Sequence, residues 1–215
     1  MSDAGRLITF EGGEGAGKST QIERLAATLT KAGLTVVVSR EPGGTPGAEA
    51  IRELLLKGPP ERWLPITETL LLLAARCDHV ERRIRPALAA GQWVLCDRFI
   101  DSTRVYQGLA GAVGIELVDR LSVATIGDLQ PDLTLILDVP VETGLARRGR
   151  TSTQNRFEHM GRAFHEQVRN GFLQVARAEP ARCRVIDGAR EADAVEHDVR
   201  VAVGTRFGLG LGVCG

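Results

Sequence analysis

Net charge is the first thing this sequence lacks: 27 Lys and Arg residues balance 27 Asp and Glu residues. A protein whose main work is gripping nucleic acid depends on uncompensated cations, so no nucleic-acid partner is expected. No apolar run approaches the ~18 residues that span a bilayer, and no membrane partner is expected either. Residues 1–6 (MSDAGR) lack the charged-then-apolar order of a secretory signal, and strand-like sequence begins by Leu7, which predicts a cytoplasmic protein. The four cysteines, Cys77, Cys96, Cys183 and Cys214, stand far apart, with no C-x-x-C pair and no matching histidine spacing. That argues against a zinc site and a disulfide framework, and Cys96, inside an apolar run, reads as a small buried hydrophobe. Lysine is scarce too: Lys18, Lys31 and Lys57 are the only lysines among the 27 cations.

What is present is the composition of an ordinary globular protein. At 215 residues, 43% apolar and 25% charged, the chain is long enough for one cored domain over 1–215 and leaves little room for two. Strand-like runs fall at 6–10, 34–39, 93–96, 133–139 and 184–186. Helical spacing occupies 20–31, the segment after Thr45, and 67–90, 115–126, 141–148, 157–178 and 191–203. Residues 34–39 (LTVVVS) are nearly all apolar, which predicts a strand buried on both faces. Thr45 caps the second helix with Pro46 at its first position, and Ile51, Leu54 and Leu55 form its buried face. Pro86 is expected to kink or split the long helix. The glycine-rich tail, 204–215, reads as frayed. Strands alternating with helices five times over imply a five-stranded parallel sheet covered on both faces, a three-layer α/β sandwich. In such a sheet, ligands bind beyond the carboxyl ends of the strands.

The run Gly12-Gly13-Glu14-Gly15-Ala16-Gly17-Lys18-Ser19 matches G-x-x-x-x-G-K-[ST] between the first strand and first helix. Glycines let successive N–H groups face inward, and the helix N-terminus adds partial positive charge. Lys18 can reach the β- and γ-phosphates, and the Ser19 hydroxyl can ligate Mg²⁺. With Thr20, this is an NTP-binding segment. A regulatory GTPase needs N-K-x-D, which is absent. A hydrolytic motor would end an apolar strand in Asp-Glu, whereas here that strand ends in Asp97-Arg98. A non-catalytic nucleotide-binding regulator remains open, but it leaves the arginines unexplained. A small-molecule phosphotransferase fits best, since it needs a second anion site and a closable lid. Candidates for that second site are Arg40 with the loop after it, Arg76, Asp97-Arg98 and the loop Ser102-Thr103-x-x-Tyr106-Gln107-Gly108. The four histidines form no cluster and read as structural.

These segments resemble the thymidylate kinase family, its bacterial form in particular. The resemblance is carried by FEGGEGAGKST (10–20), REPGGT (40–45), Ala74-Ala75-Arg76, Asp97-Arg98, STRVYQG (102–108), PDLTLILD (131–138) and Arg156-Phe157-Glu158, in family order over nearly the whole chain. It implies the P-loop NTPase fold of nucleoside monophosphate kinases, ATP-dependent phosphorylation of dTMP to dTDP, Mg²⁺ as cofactor, and a homodimer. Arg98 would contact the acceptor phosphate with support from Arg40, and Asp97 would sit near the Mg²⁺. Arg76 and Thr103 would bond the thymine edge. Tyr106, with Gln107 beside it, would lie against the deoxyribose, and Glu14 would approach the acceptor sugar or metal. The lid, about 147–156, would deliver an arginine, with Arg148 and Arg150 favoured over Arg147. Three departures stand out. Leu72 occupies the position where the family stacks phenylalanine on the base, which prompts the alternative of a monophosphate kinase with relaxed base choice. Asn155 replaces an aspartate. Arg104 is an unusual cation, facing outward or adding affinity for anions.

Overall fold

A computed structural model describes residues 4–148 and 160–212. Five parallel strands, β1 (Leu7–Glu11), β2 (Val36–Arg40), β3 (Trp93–Asp97), β4 (Leu133–Asp138) and β5 (Cys183–Asp187), lie in the order β2-β3-β1-β4-β5. Every strand ends on a charged residue. The register pairs Arg40 with Asp97, Phe10 with Asp97, Glu11 with Ile136 and Asp138 with Asp187, so those charges share one edge of the sheet.

Nine α-helical segments flank the sheet among the described residues: α1 (Lys18–Lys31), α2 (Pro46–Leu56), α3 (Pro65–His79), α4 (Arg85–Ala89), α5 (Ile100–Thr103), α6 (Ile115–Ile126), α7 (Val141–Arg148), α8 (Arg162–Ala178) and α9 (Ala192–Phe207). Strand alternation decides which face each apolar residue serves. Ile8, Phe10, Leu95 and Leu135 pack with Ile22, Leu25 and Leu29 of α1 and Val195, Val199 and Val203 of α9. Leu7, Val94 and Cys96 pack on the opposite face with Val80, Ile84 and Ile126. Leu25 is fully buried, so truncating it to alanine costs about 2–5 kcal/mol.

Three expectations need correction. β2 is an edge strand, paired only with β3 in the described sheet, and it leaves Val38 44% exposed. In α2, Leu55 is buried but Leu54 faces solvent. The long helix is divided beside Pro86, as expected. A π-helical turn, Val80–Ile84, precedes it, and Pro86 sits in the first turn of α4, where its missing N–H is least needed. The tail is packed as far as Leu211. α9 continues to Phe207, Gly208 closes it in a left-handed conformation, and Leu211 is buried with its carbonyl held by Arg200.

Candidate active site

β1 runs straight into the phosphate loop, and the loop's conformation rests on glycine. Gly12, Gly15 and Gly17 have φ of 131°, 67° and 89°. A Cβ at Gly15 would strike the Gly144 carbonyl of α7, and one at Gly12 the Leu137 carbonyl of β4. The Lys18 ammonium, almost wholly buried, donates to the carbonyls of Gly12 (3.1 Å) and Gly13 (3.0 Å). Burial, and then nearby Arg98, hold its pKa below the ordinary lysine value. The Ser19 hydroxyl donates to Asp97 Oδ2 at 3.2 Å, and Asp97 Oδ1 is buried with no hydrogen-bond partner among the described residues. A hydroxyl beside a carboxylate with an uncommitted oxygen is a donor set that suits a hard divalent cation.

A cleft of about 680 Å³ opens from this loop across the carboxyl edge of the sheet. The expected residues Glu14–Thr20, Arg40, Leu72, Arg76, Asp97, Arg98, Thr103, Tyr106 and Gln107 all line it. Arg98 adopts φ 69°, a conformation a side-chain-bearing residue takes at a cost. It donates to Glu14 Oε1 (2.8 Å), Ser102 Oγ (3.2 Å) and the Gly12 carbonyl (3.3 Å), and its guanidinium lies 5.1 Å from the centre of the Tyr106 ring. Burial disfavours its charge, but Tyr106, Glu14, Asp97 and Glu11 outweigh that and raise its pKa. Burial also pushes the Tyr106 phenol up to about 12. Arg40 is more exposed and engages both oxygens of Glu49 (3.1 and 3.2 Å).

Deeper in the cleft, Arg76 is 2% exposed. Its Nε donates to Glu41 Oε2 (2.6 Å), and its Nη2 donates to the Phe99 carbonyl and Thr103 Oγ1 (both 2.9 Å). Its Nη1 is buried without a hydrogen-bond partner among the described residues. Leu72 and Phe99 line the same region, and Arg76 stacks 5.3 Å from the Phe99 ring centre. Gln107 is turned toward Glu68, which accepts from its amide at 2.7 Å.

Some residues behave differently from expectation. The segment 102–108 is not a loop: α5 and a π-helical turn (Arg104–Leu109) carry it, so Thr103, Tyr106 and Gln107 project from helical backbone. Arg104 neither faces outward nor adds to the acceptor site. It is clamped by Asp119 (2.6 Å), Glu179 and Asp101, behind the cleft wall. Arg147 stands on α7 and donates to the carbonyls of Gly188 and Ala189. Arg150, Asn155 and the side chain of Arg148 lie outside the described residues.

Two participants escaped sequence reasoning. Arg52 of α2 lines the cleft and donates to the Pro42 carbonyl (2.7 Å); burial and Arg40 lower its pKa, the mark of like charges gathered in one place. Glu11, the last residue of β1, is fully buried. Its Oε1 accepts from the amides of Phe99 (2.8 Å) and Ser102 (3.2 Å), and Oε2 lies 2.6 Å from Ser102 Oγ. Burial and the neighbouring Asp101 push its pKa up to about 7. A charged residue closing an apolar strand beside the glycine loop was the available signal for Glu11; for Arg52 there was none.

A phosphate cradle facing a guanidinium-lined cleft over one sheet edge is the layout of a P-loop kinase acting on a small anionic acceptor. Comparison narrows this class. The family model for thymidylate kinase matches residues 10–199. The chain is 57% identical to a thymidylate kinase of Caulobacter vibrioides over 205 residues, 95% of this chain and 99% of that one. It is 53% identical to one from Ruegeria pomeroyi over 208 residues, covering 96% and 98%. The crystal structure of thymidylate kinase from Ehrlichia chaffeensis superposes with a TM-score of 0.77 at 34% identity, covering 93% of this chain and 99% of that one. The chain belongs to the thymidylate kinase family.

Proposed function

We infer that this protein transfers the γ-phosphoryl group of ATP to the phosphate of dTMP, giving dTDP and ADP. The observation that carries the reading is that Lys18, at the donor end, shares one cleft with Arg40, Arg52, Arg76 and Arg98. The acceptor phosphate oxygen is already anionic, so it needs no general base. The work is to hold two repelling anions in line and to neutralise the charge spread over the transferring group.

Each role follows from position. The loop amides of residues 12–20 and Lys18 hold the donor phosphates. Arg98 exchanges its contact with Glu14 for the acceptor phosphate, and Arg40 and Arg52 flank that phosphate. Glu14 approaches the acceptor sugar. Arg76 Nη1 donates to a base-edge oxygen, which favours a 4-oxo pyrimidine, with Thr103 beside it. Leu72 and Phe99 sandwich the base, and Tyr106 and Gln107 face the deoxyribose. Ser19 and Asp97 would hold Mg²⁺, which supplies further neutralisation of the β- and γ-oxygens when bound. Arg148 and Arg150 of the lid would complete the charge shell on closure.

Exposed Ile66 and Leu70 on α3, preceded by Leu64, and Val123 on neighbouring α6 offer an apolar surface to a second copy, in keeping with a homodimer. No helix among the described residues is long and apolar enough to cross a membrane. We take the protein to be one cytoplasmic domain. Leu72 favours a second reading, relaxed choice among pyrimidine acceptors, because an aliphatic side chain selects an aromatic base less sharply than a ring does.

An ADP-release assay with ATP against dTMP, dUMP, dCMP, dGMP and dAMP decides between these. Acceptor-dependent turnover greatest with dTMP is expected; comparable rates for dCMP favour the relaxed enzyme, and no acceptor dependence favours a regulator.

A further inference from the structure

Arg76 is held by a chain of buried side chains that runs away from the cleft. Glu41 takes Arg76 Nε on one oxygen and His79 Nδ1 on the other, at 2.6 and 3.0 Å. His79 Nε2 lies 2.6 Å from Ser39 Oγ on β2. His79 is fully buried, and Glu41 and Ser39 are 5% and 8% exposed. Because a carboxylate only accepts, Nδ1 is the nitrogen that carries hydrogen toward Glu41, and Ser39 fixes the ring from behind. The loop 41–45 is wrapped tightly over this chain: a Cβ at Gly44, where φ is 88°, would lie 2.6 Å from both the His79 ring and Ser39 Oγ. His79 is also the last residue of α3, just before the π-helical turn.

We propose that Ser39, His79 and Glu41 form a positioning relay that fixes the Arg76 fork, leaving Nη1 as a preset donor and making base selectivity depend, through the cleft-lining Glu41, on His79 and Ser39 behind the cleft wall. The proposal rests on the reading of Arg76 as the group that meets the base edge. Glu41 and Thr103 together occupy Nε and Nη2, so the guanidinium plane has one orientation and Nη1 one direction. Loosening Glu41 lets the fork swing. A mobile donor then discriminates less between an oxygen and an amino group at the pyrimidine 4-position.

Histidine allows a sharp test, since asparagine places its amide near Nδ1 and glutamine places its amide near Nε2. Steady-state kinetics with dTMP and dCMP would be measured for His79→Asn, His79→Gln and Ser39→Ala, with KM for ATP as a control. His79→Gln is expected to raise KM for dTMP and to cut the dTMP-over-dCMP selectivity, each by about 5–50-fold, leaving KM for ATP unchanged. His79→Asn, which keeps the Glu41 contact but gives up Ser39, and Ser39→Ala are each expected to lose about threefold to tenfold, less than His79→Gln. If His79→Gln does not fold, Ser39→Ala reads the other link of the relay, at His79 Nε2, with a smaller change. Unaltered selectivity in folded His79→Gln or in Ser39→Ala overturns the relay while wild type still prefers dTMP. A wild-type enzyme with no dTMP-dependent turnover would overturn the underlying reading instead.

Discussion

Arg98 reaches across the mouth of the cleft to Glu14 at 2.8 Å from a backbone with φ of 69°. Left-handed backbone costs a residue with a Cβ about 1–2 kcal/mol, and the surroundings enforce it here. The Arg98 amide donates to the Phe10 carbonyl, and Glu11 pins the next amide, that of Phe99. The strain aims the guanidinium at both the phosphate loop and Tyr106.

Replacing Arg98 with alanine is therefore expected to lower kcat by about 10²–10⁴-fold, with a smaller rise in KM for dTMP. Steady-state kinetics checks this. A change confined to KM would remove Arg98 from transition-state stabilisation.

Gly15 packs so closely on α7 that no side chain fits, and its φ of 67° disfavours one in any case. Gly15→Ala should reduce ATP affinity by at least about tenfold while the sheet core stays folded. Calorimetric titration with ATP, alongside thermal unfolding, separates the two effects. Normal affinity would mean that the loop can shift away from Gly144 at no cost.

The Leu72 position tests the base sandwich. Leu72→Phe should tighten dTMP binding by about threefold to tenfold through ring stacking. An unchanged Kd would place the base elsewhere in the cleft.

Much of this site was legible in the sequence, because glycine spacing and apolar periodicity are local signals. The loop, the helix after it (read from residue 20, two residues past its actual start at Lys18) and the carboxyl-edge positions of Arg40 and Asp97 followed from them. The missed features depend on partners that a local pattern does not reach. Glu11 answers to Phe99 and Ser102, Arg104 to Asp119 and Glu179, and Leu211 to Arg200. The helical segment 100–109 was hidden because its π-helical turn breaks the 3.6-residue period that identifies a helix. The edge position of β2 was hidden because apolar residues alone do not state how many neighbours a strand has.

Glu11 makes a pH prediction with a definite sign. Its folded-state pKa, about 7, lies above the ordinary value of 4.5, so the folded protein holds the proton more tightly than the unfolded chain. The associated stability is fully present below pH 4.5 and is lost as pH rises through 7. Glu11→Gln keeps a neutral, hydrogen-bonding side chain and removes the titration. Urea unfolding at pH 5 and pH 8 should show wild type losing stability relative to Glu11→Gln on going up, by up to about 3 kcal/mol. Parallel behaviour of the two proteins would show that Glu11 ionises normally.

The account stands on two anion sites placed end to end for direct transfer, and a bisubstrate ligand measures that placement. Adenosine and thymidine joined 5′-to-5′ through five phosphates should bind at least about 10²-fold more tightly than ATP or dTMP alone, and should compete with both. Competition with ATP alone, at an affinity no better than that of ATP, would contradict it.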